Sequence, residues 1–246
     1  MAEVILFVFE GERTEVELSD SLLPHFLADS ENTIVRTAYR NHIYSLYRDM
    51  VSDDYIDIVE LLKEDNESLR EYSRDSFSQV FLFFDYDGHV PDPGNDRDNQ
   101  IKQLIDFFSQ ETEQGKLFVS YPMVEAINCI SNLDDAHELM ERTVKIEHFK
   151  PFKKFVKQMS DKRVKLYSDI SRAEWNALIR LHCYKANFIV RAEVDFPNTD
   201  DVSQDDIFES QFKKYIEPLG EASVLSGFPL MLLEYYGREW LFDATS

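Results

Sequence analysis

The chain is 246 residues long and strongly acidic, with 26 Lys and Arg residues against 47 Asp and Glu residues, for a net charge of −21. Hydrophobic residues make up 43% of it, which is enough to form a core and excludes a disordered or collagen-like chain. Its two cysteines, Cys129 and Cys183, exclude a disulfide framework and a cysteine-rich zinc site.

The amino-terminal residues are not expected to form a secretion signal. Met1 is followed within a few residues by the apolar run 4–9, with no basic region and no cleavage site before it. No apolar run approaches the ~18 residues that would cross a membrane. These features predict a cytoplasmic protein.

Apolar, strand-forming runs alternate with helical patterns in the first half of the chain. Continuous runs of this kind are typical of strands buried on both faces of a parallel sheet. Strands separated by helices predict an α/β fold with an open, mainly parallel sheet flanked by helices, in a domain over residues 1–132. The predicted strands are 4–9, 33–37, 79–84 and 116–120, and the clearest predicted helices are 15–27 and 100–110.

The second half of the chain has a different sequence pattern, in which helical stretches carry charged faces. It predicts a helical C-terminal region over residues 133–246. The expected helices are 136–143, 149–159, 172–190 and 205–216.

Acidic residues follow two of the predicted strands. Glu10 comes directly after the first strand, and Asp85 and Asp87 come directly after the third. Because ligands collect at the carboxyl ends of the strands of an open parallel sheet, these acids are expected at one edge. Such a group is costly unless it shares a proton or binds a cation, and its hard oxygen donors suit Mg²⁺ or Mn²⁺. A metal held in this way points to phosphodiester chemistry.

Three short segments resemble the Toprim domains of topoisomerases, primases and nucleases. They are Glu10-Gly11, Asp85-Tyr86-Asp87 and the run from Ser120 through Pro122 to Glu125. The run that opens with Glu10 is similar to the Toprim-like nucleases of bacterial anti-phage systems, among them RloB-type proteins and effectors paired with an ABC-type ATPase. The resemblance spans roughly residues 4–130 and implies a Toprim-like first domain.

The resemblance also implies roles. Glu10 would be an acid/base residue or a metal ligand, Gly11 would allow the chain to approach closely, and Asp85 and Asp87 would hold Mg²⁺. The implied activity is cleavage of RNA, such as tRNA, or of DNA, as the toxic effector of abortive infection. An ABC-type ATPase would be the controlling partner, and homo-oligomers are compatible with this scheme.

Further site residues are implied in supporting roles. Glu15 and Glu125 would be additional metal ligands, with Ser120 beside them. Many Toprim domains have an acid four residues after the motif glutamate, where this chain has Thr14; Glu15 comes one position later.

Other interpretations of the same residues stay open. Glu10 and Glu15 are also what a strand end and a first helical turn would carry for structural reasons. The chain could be a regulatory or binding subunit with this fold and no turnover. A haloacid-dehalogenase-like phosphatase, with Asp85 as nucleophile and Asp87 as acid/base, is a further alternative, although its motif usually lies on the first strand.

Basic residues are concentrated in the segment 145–172, which holds nine basic and three acidic residues. The local charge is therefore +6, and the other 218 residues carry −27. Helical spacing places four lysines on one side of the helix 149–159 and Phe152, Phe155, Val156 and Met159 on the opposite, packed side. The predicted nucleic-acid contacts are Lys150, Lys153, Lys154, Lys157, Lys162 and Arg163.

Overall fold

The computed structural model describes residues 3–27, 32–52, 57–86 and 97–246. The chain divides into two compact units. The described residues of Met1–Phe84 and Asp92–Phe118 form the first, and those of Asp85–Pro91 and Val119–Ser246 form the second. The boundary predicted at residue 132 stays a prediction, since the division by compactness lies after Phe118.

A five-stranded sheet with flanking helices forms the first half, which confirms the predicted α/β class. Its strands are β1 (Val4–Phe9), β2 (Thr33–Ala38), β3 (Gln79–Asp85), β4 (Ser109–Gln110) and β5 (Gly115–Ser120). Their order is β2-β1-β3-β5-β4, with β1 parallel to both β2 and β3, and β4 antiparallel to β5. The helices are α1 (Thr14–Phe26), α2 (Ile43–Ser52), α3 (Ile58–Lys63) and α4 (Arg97–Phe107).

Aromatic packing on the central strands explains why their sequences are almost wholly apolar. Phe7 of β1 stacks on Phe83 of β3 at 5.8 Å between ring centroids, and Phe83 stacks on Phe118 of β5 at the same distance. Each ring is almost completely buried, which contributes about 1.5–3 kcal/mol per side chain. This ladder fixes β1, β3 and β5 side by side.

The fourth helix ends earlier than the sequence pattern indicates. The predicted helix 100–110 gives way after Phe107, because Ser109 and Gln110 pair with Lys116 and Gly115 as β4. Two residues of antiparallel pairing carry no periodicity of their own, so only the partner strand specifies them.

Helices make up most of the C-terminal region, as predicted. They are α5 (Ala136–Met140), α6 (Phe149–Met159), α7 (Arg172–Arg191), α8 (Gln204–Gln211), α9 (Glu217–Leu219), α10 (Phe228–Tyr236) and α11 (Arg238–Thr245). The twenty-residue α7 begins at a capping box between Ser171 and Glu174 and buries Trp175 and Cys183. Among the described residues, none of the helices has the length and apolar character required to cross a membrane.

The C-terminal region also contains a strand pair that the sequence analysis missed. The predicted helix 136–143 stops at Met140, and β6 (Thr143–Lys145) then pairs antiparallel with β7 (Glu221–Ser223). Because β6 and β7 lie far apart in sequence, no hairpin turn connects them and no local motif predicts their pairing.

Candidate functional site

Two acidic residues lie at the ends of neighbouring parallel strands. Phe9 of β1 is opposite Phe83 of β3, and the backbone N–H of Glu10 donates to the carbonyl of Phe83 at 3.0 Å. Strand β3 itself ends at Asp85. The predicted adjacency of the two strands is therefore confirmed, and both acids are half-buried. Asp87 lies outside the described residues.

Hydrogen bonds hold the backbone of Glu10 on both sides. The N–H of Arg40, which follows β2, donates to the Glu10 carbonyl at 3.0 Å. One residue earlier, the N–H of Tyr39 donates to the carbonyl of Phe9 at 2.8 Å. Glu10 thus continues β1 between the ends of β2 and β3, and its backbone position is fixed by the sheet.

Arg40 is a charged residue at this edge that the sequence analysis passed over. Its backbone is left-handed, with φ +64°, a conformation that costs an L-residue about 1–2 kcal/mol. Its guanidinium pairs with Glu12 through Nε and donates from Nη1 to the carbonyl of Asp65 at 2.9 Å. Among described residues these are its side-chain contacts, so three of its five N–H donors have no protein acceptor there.

Glu15 turns back toward the loop that precedes its helix. Its Oε1 accepts a hydrogen bond from the N–H of Gly11 at 3.1 Å, and the side chain is buried. A Cβ at Gly11 would lie 3.1 Å from Glu15 Oε2, so the missing side chain gives this carboxylate room. In the second position of α1, Glu15 makes the contact expected of a first-turn acid. Its role as a metal ligand stays a prediction.

Ser120 and Glu125, which belong to the third Toprim-like segment, each contact other residues of the protein. The Oγ of Ser120 accepts a hydrogen bond from the N–H of Gly227 at 3.2 Å, directly before α10. Glu125 lies in the buried 3₁₀ turn Val124–Asn128, and its Oε1 is 2.6 Å from Nζ of Lys153. Both side chains thus have partners within the second unit, and their supporting role at a metal stays a prediction.

Tyr86 anchors the chain directly after Asp85. It is fully buried, and its N–H donates to the carbonyl of Ser120 at 2.9 Å. Its ring stacks on Tyr121 at 5.5 Å and meets the edge of Phe149 at 6.2 Å. The end of β3 is therefore held in a buried aromatic contact with the first residue of α6.

Helix α6 has the predicted two-sided character, with one difference. Lys150, Lys153, Lys154 and Lys157 are exposed, while Phe149, Phe152 and Val156 are buried. Phe155 was expected on the packed side, but it is 43% exposed. It lies about 60° around the helix from Phe152 and about 100° from Val156, which takes it to the margin of the packed face.

The two remaining predicted contacts follow α6 in the turn Lys162–Val164. Lys162 is exposed. The guanidinium of Arg163 lies 3.0 Å from Asp134 and 2.7 Å from Asp161, and it holds the pKa of Asp161 well below its usual range. Arg163 therefore has a structural role in the turn, and its contact with nucleic acid stays a prediction.

The donor chemistry of the sheet edge is compatible with a hard cation. Glu10 and Asp85 offer carboxylate oxygens of the kind that Mg²⁺ and Mn²⁺ prefer. Within the ranges that the structure describes, which omit Asp87, no group of three or more His, Cys, Asp or Glu side chains could hold a metal ion. Comparison with protein-family models, with curated proteins and with solved structures finds no match.

Proposed function

We propose that the protein is a Mg²⁺-dependent nuclease that hydrolyses phosphodiester bonds at the carboxyl edge of its sheet, with Mn²⁺ as an alternative metal. The parallel pairing of β1 and β3 supports this most directly, because Glu10 directly follows β1 beside the end of β3, whose last residue is Asp85. Carboxylate oxygens at one sheet edge are the donors that a divalent cation such as Mg²⁺ prefers.

Each acidic residue of the proposed site would have a defined role. Glu10, Asp85 and Asp87 would hold the ion, which supplies charge neutralisation at a phosphate group. The backbone N–H of Glu10 donates to Phe83 and its carbonyl accepts from Arg40, so its backbone position at the edge is fixed. A carboxylate positioned in this way can also accept a proton from an attacking water.

The wider biological role is a proposal that depends on the resemblance of the three motifs. In it the protein is a cytoplasmic, Toprim-like toxic effector of anti-phage defence that cleaves RNA, such as tRNA, or DNA. An ABC-type ATPase would control it. The large negative charge outside the segment 145–172 offers such a partner a surface that nucleic acid avoids.

The test is a cleavage assay with tRNA, single-stranded DNA and plasmid DNA, in Mg²⁺ and in EDTA. Glu10→Gln and Asp85→Asn should each lose about 100-fold or more activity, the scale of a lost catalytic group. Asp75→Asn is the matched control, since Asp75 is an exposed acid in the turn that precedes β3. Activity that survives EDTA, or survives both substitutions, would refute the proposal. A phospho-Asp85 intermediate would indicate a phosphatase instead.

A further inference from the structure

Several lysines of the basic segment pair with no acid among the residues that the structure describes, although the chain is rich in acids. Lys150, Lys154 and Lys157 of α6, and Lys162 in the next turn, are exposed and make no ion pair with any described residue. We refer to these four as the lysine face. Several basic residues outside the segment 145–172 do pair with carboxylates, namely Arg13, Arg36, Arg40, Lys63, Arg70, Arg142, Arg191 and Lys213. The lysine face is therefore a local positive surface suited to a polyanion.

An aromatic ring borders this surface. Phe155 directly follows Lys154 and is 43% exposed, with its ring centroid 6.4 Å from that of Phe152. Proteins bind single-stranded nucleic acid by combining cations that contact the phosphates with aromatic rings on which unpaired bases stack. Lys154 and Phe155 offer the two elements on consecutive exposed residues of α6. Bases in a duplex are already stacked on each other, so they would leave the ring unused.

The same observations disfavour other polyanionic or apolar partners. The apolar side of α6, formed by Phe149, Phe152 and Val156, is buried in the protein and cannot enter a bilayer. Lysine is depleted at protein–protein interfaces, whereas this surface carries four of them.

Packing within the second unit connects α6 to the end of β3. Phe149, the first residue of α6, contacts the ring of Tyr86, which directly follows Asp85. Lys153 fastens the middle of α6 to the buried Glu125. A strand bound along the lysine face would therefore lie on a helix that is packed against the residue next to the proposed metal ligand.

We propose that the lysine face and Phe155 bind single-stranded RNA or DNA, with phosphates on the lysines and one base stacked on Phe155. This inference depends on the proposed function where it makes the bound strand the substrate. Binding itself does not require cleavage, so it can be tested without it.

The experiment measures fluorescence anisotropy of labelled oligothymidylate, oligouridylate and a duplex of equal length, with the full chain in EDTA over a range of KCl. Phe155→Ala should weaken single-strand binding about 5- to 150-fold, the loss that one stacked base produces, and leave duplex binding unchanged. Lys154→Gln should reduce the salt slope for single strands by about 0.7, since one phosphate contact is lost. Phe107→Ala, which removes another half-exposed ring, is the control and should change neither.

Three results would overturn the inference: no binding of the wild-type chain to any oligonucleotide, equal losses for single strand and duplex in Phe155→Ala, or an unchanged salt slope in Lys154→Gln. Thermal unfolding of each variant shows that it is folded. Vesicle sedimentation and analytical ultracentrifugation would then show whether an anionic membrane or a second copy occupies the face. Because cleavage in Mg²⁺ is measured separately, loss of binding and failure of the nuclease proposal are distinguishable.

Discussion

Arg40, which lies beside Glu10 at the sheet edge, allows a direct test of the proposed site. Arg40 holds a left-handed backbone that glycine adopts without the cost of about 1–2 kcal/mol that an L-residue bears. Arg40→Gly would recover that amount. It would lose an exposed ion pair with Glu12, worth about 0–1 kcal/mol, and a hydrogen bond to the Asp65 carbonyl, worth about 1 kcal/mol.

The gains and losses in stability nearly cancel, so Arg40→Gly should unfold within about 1 kcal/mol of the wild-type chain. Its effect on activity should be much larger. If the edge beside Glu10 binds a phosphate group, the unused donors of the guanidinium would make charge-assisted hydrogen bonds of about 1.5–3 kcal/mol, or about 10- to 150-fold in kcat/KM.

Urea unfolding and cleavage kinetics, measured on the same preparations, separate the two effects. Arg40→Lys should be as impaired as Arg40→Gly or nearly so, because a lysine cannot keep two anchoring contacts and still present a fork of donors. Wild-type kcat/KM in Arg40→Gly would refute the reasoning. So would a loss of activity that is matched by a loss of stability.

Three further predictions concern the scaffold. Gly115→Ala should destabilise the protein by about 2–5 kcal/mol in urea unfolding, because its φ is +120° and a Cβ would lie 2.5 Å from Leu82 Cδ1. Gly220→Ala, at φ +64° with no atom within 4 Å of the added Cβ, should lower the unfolding free energy by about 1–2 kcal/mol. Equal losses for Gly115→Ala and Gly220→Ala would count against the packing argument. Lys153→Gln should cost about 1 kcal/mol through the loss of the Glu125 pair, whereas Lys154→Gln should stay within about 0.5 kcal/mol, as thermal unfolding can show. Burial lowers the pKa of Lys185 to about 7, so the unfolded chain binds more protons than the folded one between about pH 7 and pH 10. The unfolding free energy of the wild-type chain should therefore rise with pH in that window, by up to about 1.4 kcal/mol per pH unit more than that of Lys185→Met, and parallel pH curves would contradict this.

Sequence patterns were sufficient where one element's own residues determine its structure. The apolar runs of β1 and β3 are buried on both faces, so their composition alone indicated central parallel strands and placed Glu10 and Asp85 at strand ends. Helix α6 was predicted to the residue, since its lysines and aromatic residues separate at the helical period.

Patterns failed where a distant partner decides the structure. Arg40 lies beside Glu10 because β2 pairs with β1, and nothing in the sequence around Arg40 specifies that pairing or its left-handed backbone. The strands β6 and β7 specify each other across a long stretch of chain. Phe155 has the spacing expected for burial, yet it is 43% exposed, because burial depends on which elements pack against α6 and not on helical spacing alone.

Metal binding tests the central claim most directly. Mn²⁺ titration of the wild-type chain, followed by electron paramagnetic resonance, should show binding that Glu10→Gln and Asp85→Asn each weaken and that Asp75→Asn leaves intact. If the ion binds equally well to all four proteins, or to none, the two strand ends do not form a cation site and the nuclease proposal loses its basis.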